Sequence, residues 1–255
     1  MNNETQEEDW AIYFAPVNED QLGSVLVDLG FNNIAPIESK SNLITITTFM
    51  NNPTEDGLSS AEESSLLNQI EDYFIDLIVS KYNAVYPGRL KYDNKILSYF
   101  YCANTNDFEN IFTEIKSHYP TYRFEYSVKE EKNWRAYFEV LYPSPFEMQV
   151  IQNGRVIENL QKHGDKLEKE RPVDHWIYFK SETDRENFLN AIKEMNFEIE
   201  SKDETSSGES PFSLQLSRID KADYESVNEY VMYLWQEAQE FNGDYDGWET
   251  LIIKD

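Results

Sequence analysis

The chain has 255 residues, 40% hydrophobic and 15% aromatic, with 48 acidic against 22 basic side chains and a formal net charge of −26. Such a composition is too rich in Phe and Tyr for a disordered chain. It is also too acidic for an open nucleic-acid or anionic-membrane surface, which needs Lys and Arg. The single cysteine, Cys102, excludes an intrachain disulfide. The opening MNNETQEEDW shows neither the basic nor the apolar region of a secretory leader, and no apolar run approaches the ~18 residues of a membrane span. Cytoplasmic residence is therefore the expectation. The acids are spread along the whole chain, so the charge reads either as solubility or as attraction to a basic partner.

The length admits one large or two modest domains. Residues 10–17 and 24–29 are aromatic or β-branched stretches that predict strands, and LITITTF over 43–49 alternates with period two. Ser59 and Glu62 have capping-box spacing, followed by Leu66, Leu67, Ile70, Tyr73, Phe74, Leu77 and Ile78, which predicts a helix over 60–82. Strands follow over 85–92 and 96–102, joined by a turn at Asp93–Asn94. Phe108, Ile111, Phe112 and Ile115 mark a second helix, and 122–128 a further strand. The stretch 134–142 suits either a strand or the start of a helix. From Leu43 the order is β-α-β-β-α-β, the split βαβ or ferredoxin-like plait, with extra strands in front.

The connector from Pro143 to Pro172 reads as a helix followed by a polar linker. The order then repeats: a strand over 176–179, a helix begun by Thr183 and Glu186, a strand over 197–201, a loop over 202–210, a strand from Phe212, a helix from Tyr224 to Phe241 and a last strand over 248–253. The expectation is thus an α+β protein of two ferredoxin-like domains, 1–143 and 171–255, joined by a helical linker over 144–170.

Catalytic signatures are absent from the sequence. Nucleophilic catalysis needs a nucleophile beside a base, and Cys102 lies in the apolar strand YFYCAN, where a cysteine is ordinarily a small core residue. His118, His163 and His175 stand in no metal-ligand or nucleophile spacing, and glycine-rich phosphate motifs are missing. No cofactor and no metal is expected. FNGDYDGWE over 241–249 opens like a calcium loop, but position twelve, where a bidentate Glu belongs, is Ile253. The alternatives are a helix-ending turn with Gly243 near the C′ position, or an acidic-aromatic surface patch. In the patch, Asp244, Tyr245, Asp246, Trp248 and Glu249 supply anchors and charge for a protein partner.

Three C-terminal motifs, VDHWIYF (173–179), SLQLSR (213–218) and above all FNGDYDGWE (241–249), resemble the regulator of ribonuclease activity B family, the ribonuclease E inhibitors. WAIYF (10–14), VDLG (27–30), EDGLS (55–59) and FEVLYPSP (138–145) resemble domain-of-unknown-function family 695. The first resemblance implies a small acidic ferredoxin-like protein that binds ribonuclease E and carries no catalytic residues; the second implies no activity. The leading expectation is a non-catalytic, protein-binding regulator of a basic ribonuclease or RNA-decay complex, without direct nucleic-acid or membrane contact. An enzyme with a site on the first domain or between the domains, and a self-associating scaffold, are the alternatives.

Overall fold

The computed structural model describes residues 7–18, 21–204 and 208–254. It divides into two compact units, one ending at Glu147 and the other beginning at Met148.

In the first unit, β1 (Trp10–Asn18), β2 (Gln21–Asp28), β3 (Asn42–Phe49), β4 (Val85–Tyr92), β5 (Lys95–Cys102) and β6 (Phe124–Glu130) form one antiparallel sheet in the order β1-β2-β4-β5-β3-β6. The helices α1 (Ala61–Tyr82) and α2 (Phe108–His118) lie on one face. Leu67, Ile70, Phe74 and Ile78 recur along one stripe of α1 and bury against Ile44, Ile46, Ile96 and Phe100, with Phe108, Ile111, Phe112 and Ile115 of α2 closing the core. The turn between β4 and β5 holds Asp93 and Asn94 at φ 47 and 62, the left-handed pair that a two-residue hairpin requires. Cys102 is fully buried in β5, its thiol turned to the Asn104 carbonyl at 3.1 Å.

The start of α1 lies one residue later than the spacing of Ser59 and Glu62 suggests. Ser60 is the N-cap, its hydroxyl accepting from the Glu63 N–H. Glu63 turns away from the cap and accepts from the backbone N–H groups of Asn51 and Asn52, both at 2.8 Å, and from the Tyr122 hydroxyl at 2.9 Å. Deeper in the same core, the Glu71 carboxylate pairs with Arg89 and accepts from the hydroxyls of Tyr86 at 2.8 Å and Ser98 at 2.7 Å. A buried carboxylate so fully partnered is a structural element rather than an available base.

The ambiguous stretch 134–142 is helical over 135–141, with a π-helical turn over Tyr137–Leu141. It covers the other face of the sheet. Trp134, fully buried, stacks on Tyr101 with ring centroids 4.0 Å apart, and Tyr13 donates its hydroxyl to the Leu141 carbonyl at 2.9 Å.

In the second unit, β7 (Arg171–Phe179), β8 (Glu198–Glu204), β9 (Phe212–Asp220) and β10 (Gly243–Thr250) form an antiparallel sheet in the order β10-β7-β9-β8. The helices α3 (Pro145–Lys162), α4 (Glu182–Ala191) and α5 (Tyr224–Glu240) complete it. The segment 144–170, expected as a linker, does more than connect. Ile157 and Leu160 of α3, and Leu167 beyond it, are buried in the same core as Val173, Ile177, Phe188, Leu214, Leu216 and Val231. Ser181, not Thr183, caps α4, its hydroxyl accepting from the Asp184 N–H at 3.1 Å. β7 begins at Arg171, and β8 continues to Glu204 into the expected loop 202–210, of which residues 205–207 lie outside the described residues.

Beneath this core lies a buried ion pair. Arg171 donates to both Asp165 oxygens, one of them at 3.0 Å, and to the carbonyls of Lys169 and Leu251. Asp165 also accepts from the N–H groups of Leu167 at 2.8 Å and Ile253 at 2.7 Å. The pair fastens the residues after β10 to the start of β7. No helix among the described residues is long and apolar enough to cross a membrane.

Candidate docking face of the second unit

The motif at 241–249 is a strand rather than a loop, and its geometry separates the aromatics from the acids. Asn242, at φ 54, takes the left-handed position that ends α5, the place expected for Gly243. Gly243 serves another purpose: a Cβ there would lie 2.5 Å from the Phe179 ring. Along β10, Tyr245 lies opposite Ile177 and Gly247 opposite Trp176, so Asp246 is the extra residue of a bulge, with Gly247 at φ 146. Strict alternation would send residues three apart to opposite faces. The bulge resets the phase, and Tyr245 and Trp248 both point into the core while Asp244, Asp246 and Glu249 stay exposed.

The two aromatics are held there by polar contacts. The Trp248 indole N–H donates to Asn153 Oδ1 at 3.0 Å, and Asn153 in turn donates to Asn228 Oδ1 at 2.9 Å, joining β10, α3 and α5. The Tyr245 hydroxyl lies 2.7 Å from His175 Nδ1. The other His175 nitrogen, Nε2, is buried without a hydrogen-bond partner. Burial, helped by the nearby Arg218 guanidinium, lowers the imidazole to about 3. An unfolded chain protonates histidine near 6.5, so between these values the unfolded state binds the extra proton. The contribution is complete above about pH 6.5 and is lost as pH falls toward about 3. His175→Phe is expected to flatten the fall in urea midpoint between about pH 6.5 and 4; an unchanged pH profile would contradict a buried neutral His175.

The opposite face of this sheet, turned away from the helices, has a different character. Val173, His175, Ile177 and Phe179 of β7 face the core, so Asp174, Trp176 and Tyr178 face outward, each half-buried. Registers on both sides extend these into three rows. Tyr178 has Asp244 and Ser213 as neighbours, with Asp203 beyond. Trp176 has Gly247 and Gln215, with Ser201 beyond, and Asp174 has Glu249 and Ser217, with Glu198 beyond. Two aromatic rings on a central strand are thus rimmed by carboxylates, and these rows contain no Lys or Arg. Trp176 and Tyr178 belong to the VDHWIYF motif, but within it they read as ordinary strand aromatics and not as contact residues. Only the phase of β7 marks them, and that phase follows from placing His175 in the core.

The other hollows have less chemistry. In the first unit a cavity of about 740 Å³ is lined by Phe14, Leu22, Leu58, Glu55, Asp56 and Asp93, among others. In the second, one of about 470 Å³ lies between Met195, Arg218, Tyr230 and Tyr233, with Arg218 held by Asp220. Among the described residues no group of three or more His, Cys, Asp or Glu side chains is placed to hold a metal ion.

Comparison with known proteins finds two family matches. Residues 8–142 match a family of unknown function, DUF695, and residues 150–250 match the family Regulator of ribonuclease activity B. No curated protein matches the chain. Two solved structures are similar over most of their length. One is an unknown protein from Galdieria sulphuraria, at 10% identity over 84% of this chain and 99% of that one, with a TM-score of 0.23. The other is a candidate glycine cleavage system transcriptional repressor, at 9% identity over 82% and 98%, also with a TM-score of 0.23. At that score neither likeness bears on fold or function.

Proposed function

The chain belongs to the DUF695 family of unknown function, whose match spans more than half of it, and from its second unit we propose that it acts as a non-catalytic, protein-binding regulator of a ribonuclease. The match of residues 150–250 to a regulator of ribonuclease activity supports this. So does the β-α-β-β-α-β succession with strand order β10-β7-β9-β8, which supports reading the unit as a ferredoxin-like plait; β3 to β6 with their helices repeat the pattern in the first unit.

What carries the reading is the cation-free outer face of the second sheet. Asp174, Asp244, Glu249, Glu198 and Asp203 surround Trp176 and Tyr178, a surface suited to a basic segment. Arginine fits it best, since its guanidinium stacks on aromatic faces and pairs with carboxylates at once. The partner is a ribonuclease E-type enzyme or a protein bound to it, held through a basic stretch. Nucleic acid is repelled by the same charge. Asp246, on the bulge, adds to the field at the rim. Tyr245 and Trp248 take no part in contact and hold the strand that displays the acids.

The test is a fluorescence titration of the full chain with the purified ribonuclease E-type enzyme of its host. Asp174→Lys and Trp176→Ala are each expected to weaken binding by about tenfold or more, the equivalent of about 1.4 kcal/mol. Raising salt from about 0.05 to 0.3 M should weaken binding of the native chain as exposed charges are screened. Native affinity in both variants, with folds intact, would sink the proposal.

A further inference from the structure

β1 is the outer edge of the first sheet, paired among the described strands with β2 alone. Its backbone direction follows from one contact. The Leu29 N–H donates to the Asp9 carbonyl at 2.8 Å, which makes these two a hydrogen-bonded pair continuing the β1–β2 register. Alternation in an antiparallel ladder then turns the backbone groups of Ala11 and Tyr13 toward β2, and those of Trp10, Ile12 and Phe14 toward the open edge. The same three residues expose their side chains, by 40%, 65% and 59%, whereas Ala11 and Tyr13 are buried. Trp10 is only loosely held, by Glu8 through its indole N–H at 3.0 Å and by the Tyr86 ring at 6.0 Å. Natural edges are usually protected by lysine, proline or a bulge. In this strongly acidic chain, no residue from Trp10 to Asn18 is charged. Pro16, which has no N–H to offer, and the register shift beside it end the open ladder at Phe14.

We propose that β1 pairs antiparallel with β1 of a second copy of this chain, Ile12 facing Ile12 and Trp10 of each copy facing Phe14 of the other. This register engages every outward-facing N–H of Trp10, Ile12 and Phe14. It sets an aromatic pair on either side of a β-branched pair, the cross-strand combinations that favour pairing. It is symmetric about Ile12, as a two-fold contact must be. The charge pattern selects a second copy over a basic segment, because β1 offers such a segment no carboxylate between Trp10 and Asn18. The acids Glu8 and Asp9 fall opposite Pro16 and Ala15 of the other copy, so no like charges meet across the ladder, although two copies of net charge −26 still repel at long range.

Sedimentation velocity of the full chain over a concentration series tests this, at about 0.05 M and about 0.5 M salt, where screening lengths differ several-fold. The expected result is a monomer–dimer equilibrium that shifts toward dimer as salt rises, the reverse of binding between opposite charges. Ile12→Lys, at an exposed position, should unfold thermally like the native chain at concentrations low enough to keep that chain monomeric, and should abolish the dimer by setting two cations face to face. Backbone N–H exchange at Trp10, Ile12 and Phe14 should slow in the dimer and quicken in the variant. A monomer under all conditions, a dimer indifferent to Ile12→Lys, or edge N–H groups that exchange fast within a dimer would each overturn the proposal.

Discussion

Trp248→Ala is expected to lower the unfolding free energy of the second unit by about 3–5 kcal/mol, the usual cost of emptying a buried aromatic site. The indole is only 7% exposed, packs in the core with Val173, Ile177 and Tyr245, and donates to Asn153. Since small domains retain only about 5–15 kcal/mol in total, much of the unit's stability depends on this one side chain. Urea denaturation followed by far-ultraviolet circular dichroism measures it. Asp246→Lys, two residues away on the same strand, should stay within about 0.5 kcal/mol of the native chain, as exposed substitutions do. Equal stability of the two variants would mean that the indole lies on the surface and that the bulge does not reset the strand.

Arg171→Met should be comparably severe, about 3–5 kcal/mol at neutral pH, because it leaves the Asp165 carboxylate buried and unpaired. The pH dependence identifies the cause. In the native chain burial raises the Asp165 value, but the Arg171 guanidinium and the N–H groups of Ile253 and Leu167 outweigh it and hold the carboxyl at about 2. The folded value is thus depressed below the ordinary 3.8. Its stabilisation is present above about pH 4 and is lost as pH falls toward about 2. Without Arg171 the buried carboxyl is freed of its cost once protonated. The deficit of Arg171→Met, read from urea midpoints, should therefore be largest near neutral pH and shrink in acid. A deficit independent of pH would assign the loss to packing instead.

Much of the architecture is legible in residue patterns. The strands at 43–49 and 212–217 alternate, the strand at 10–17 is rich in aromatic and β-branched residues, and the helices α1 and α5 show their stripes, because burial of one face imposes period two or 3.6. Three features are not legible, each for a physical reason. β8, with the sequence EIESKDE, is polar on both faces, so its length beyond Ser201 depends on its ladder with β9 and not on burial. The caps shift by one or two residues because Ser59, Ser60, Ser181 and Thr183 all offer hydroxyls, and tertiary geometry selects among them. The bulge at Asp246 cannot be read from a run of residues whose spacing it alters. Read as a contiguous motif, Tyr245 and Trp248 look like surface anchors beside Asp244, Asp246 and Glu249. With the bulge, the aromatic part of the candidate face moves to Trp176 and Tyr178, while the acids remain where the motif put them.

The most direct test of the docking face is hydroxyl-radical footprinting of the full chain, free and bound to the ribonuclease E-type enzyme of its host, with side-chain oxidation read by mass spectrometry. If the outer face of the second sheet holds the partner, oxidation of Trp176 and Tyr178 falls on binding, while that of Phe14, exposed on the first unit, does not. Unchanged oxidation of Trp176 and Tyr178 in a confirmed complex would place the partner elsewhere and contradict the account.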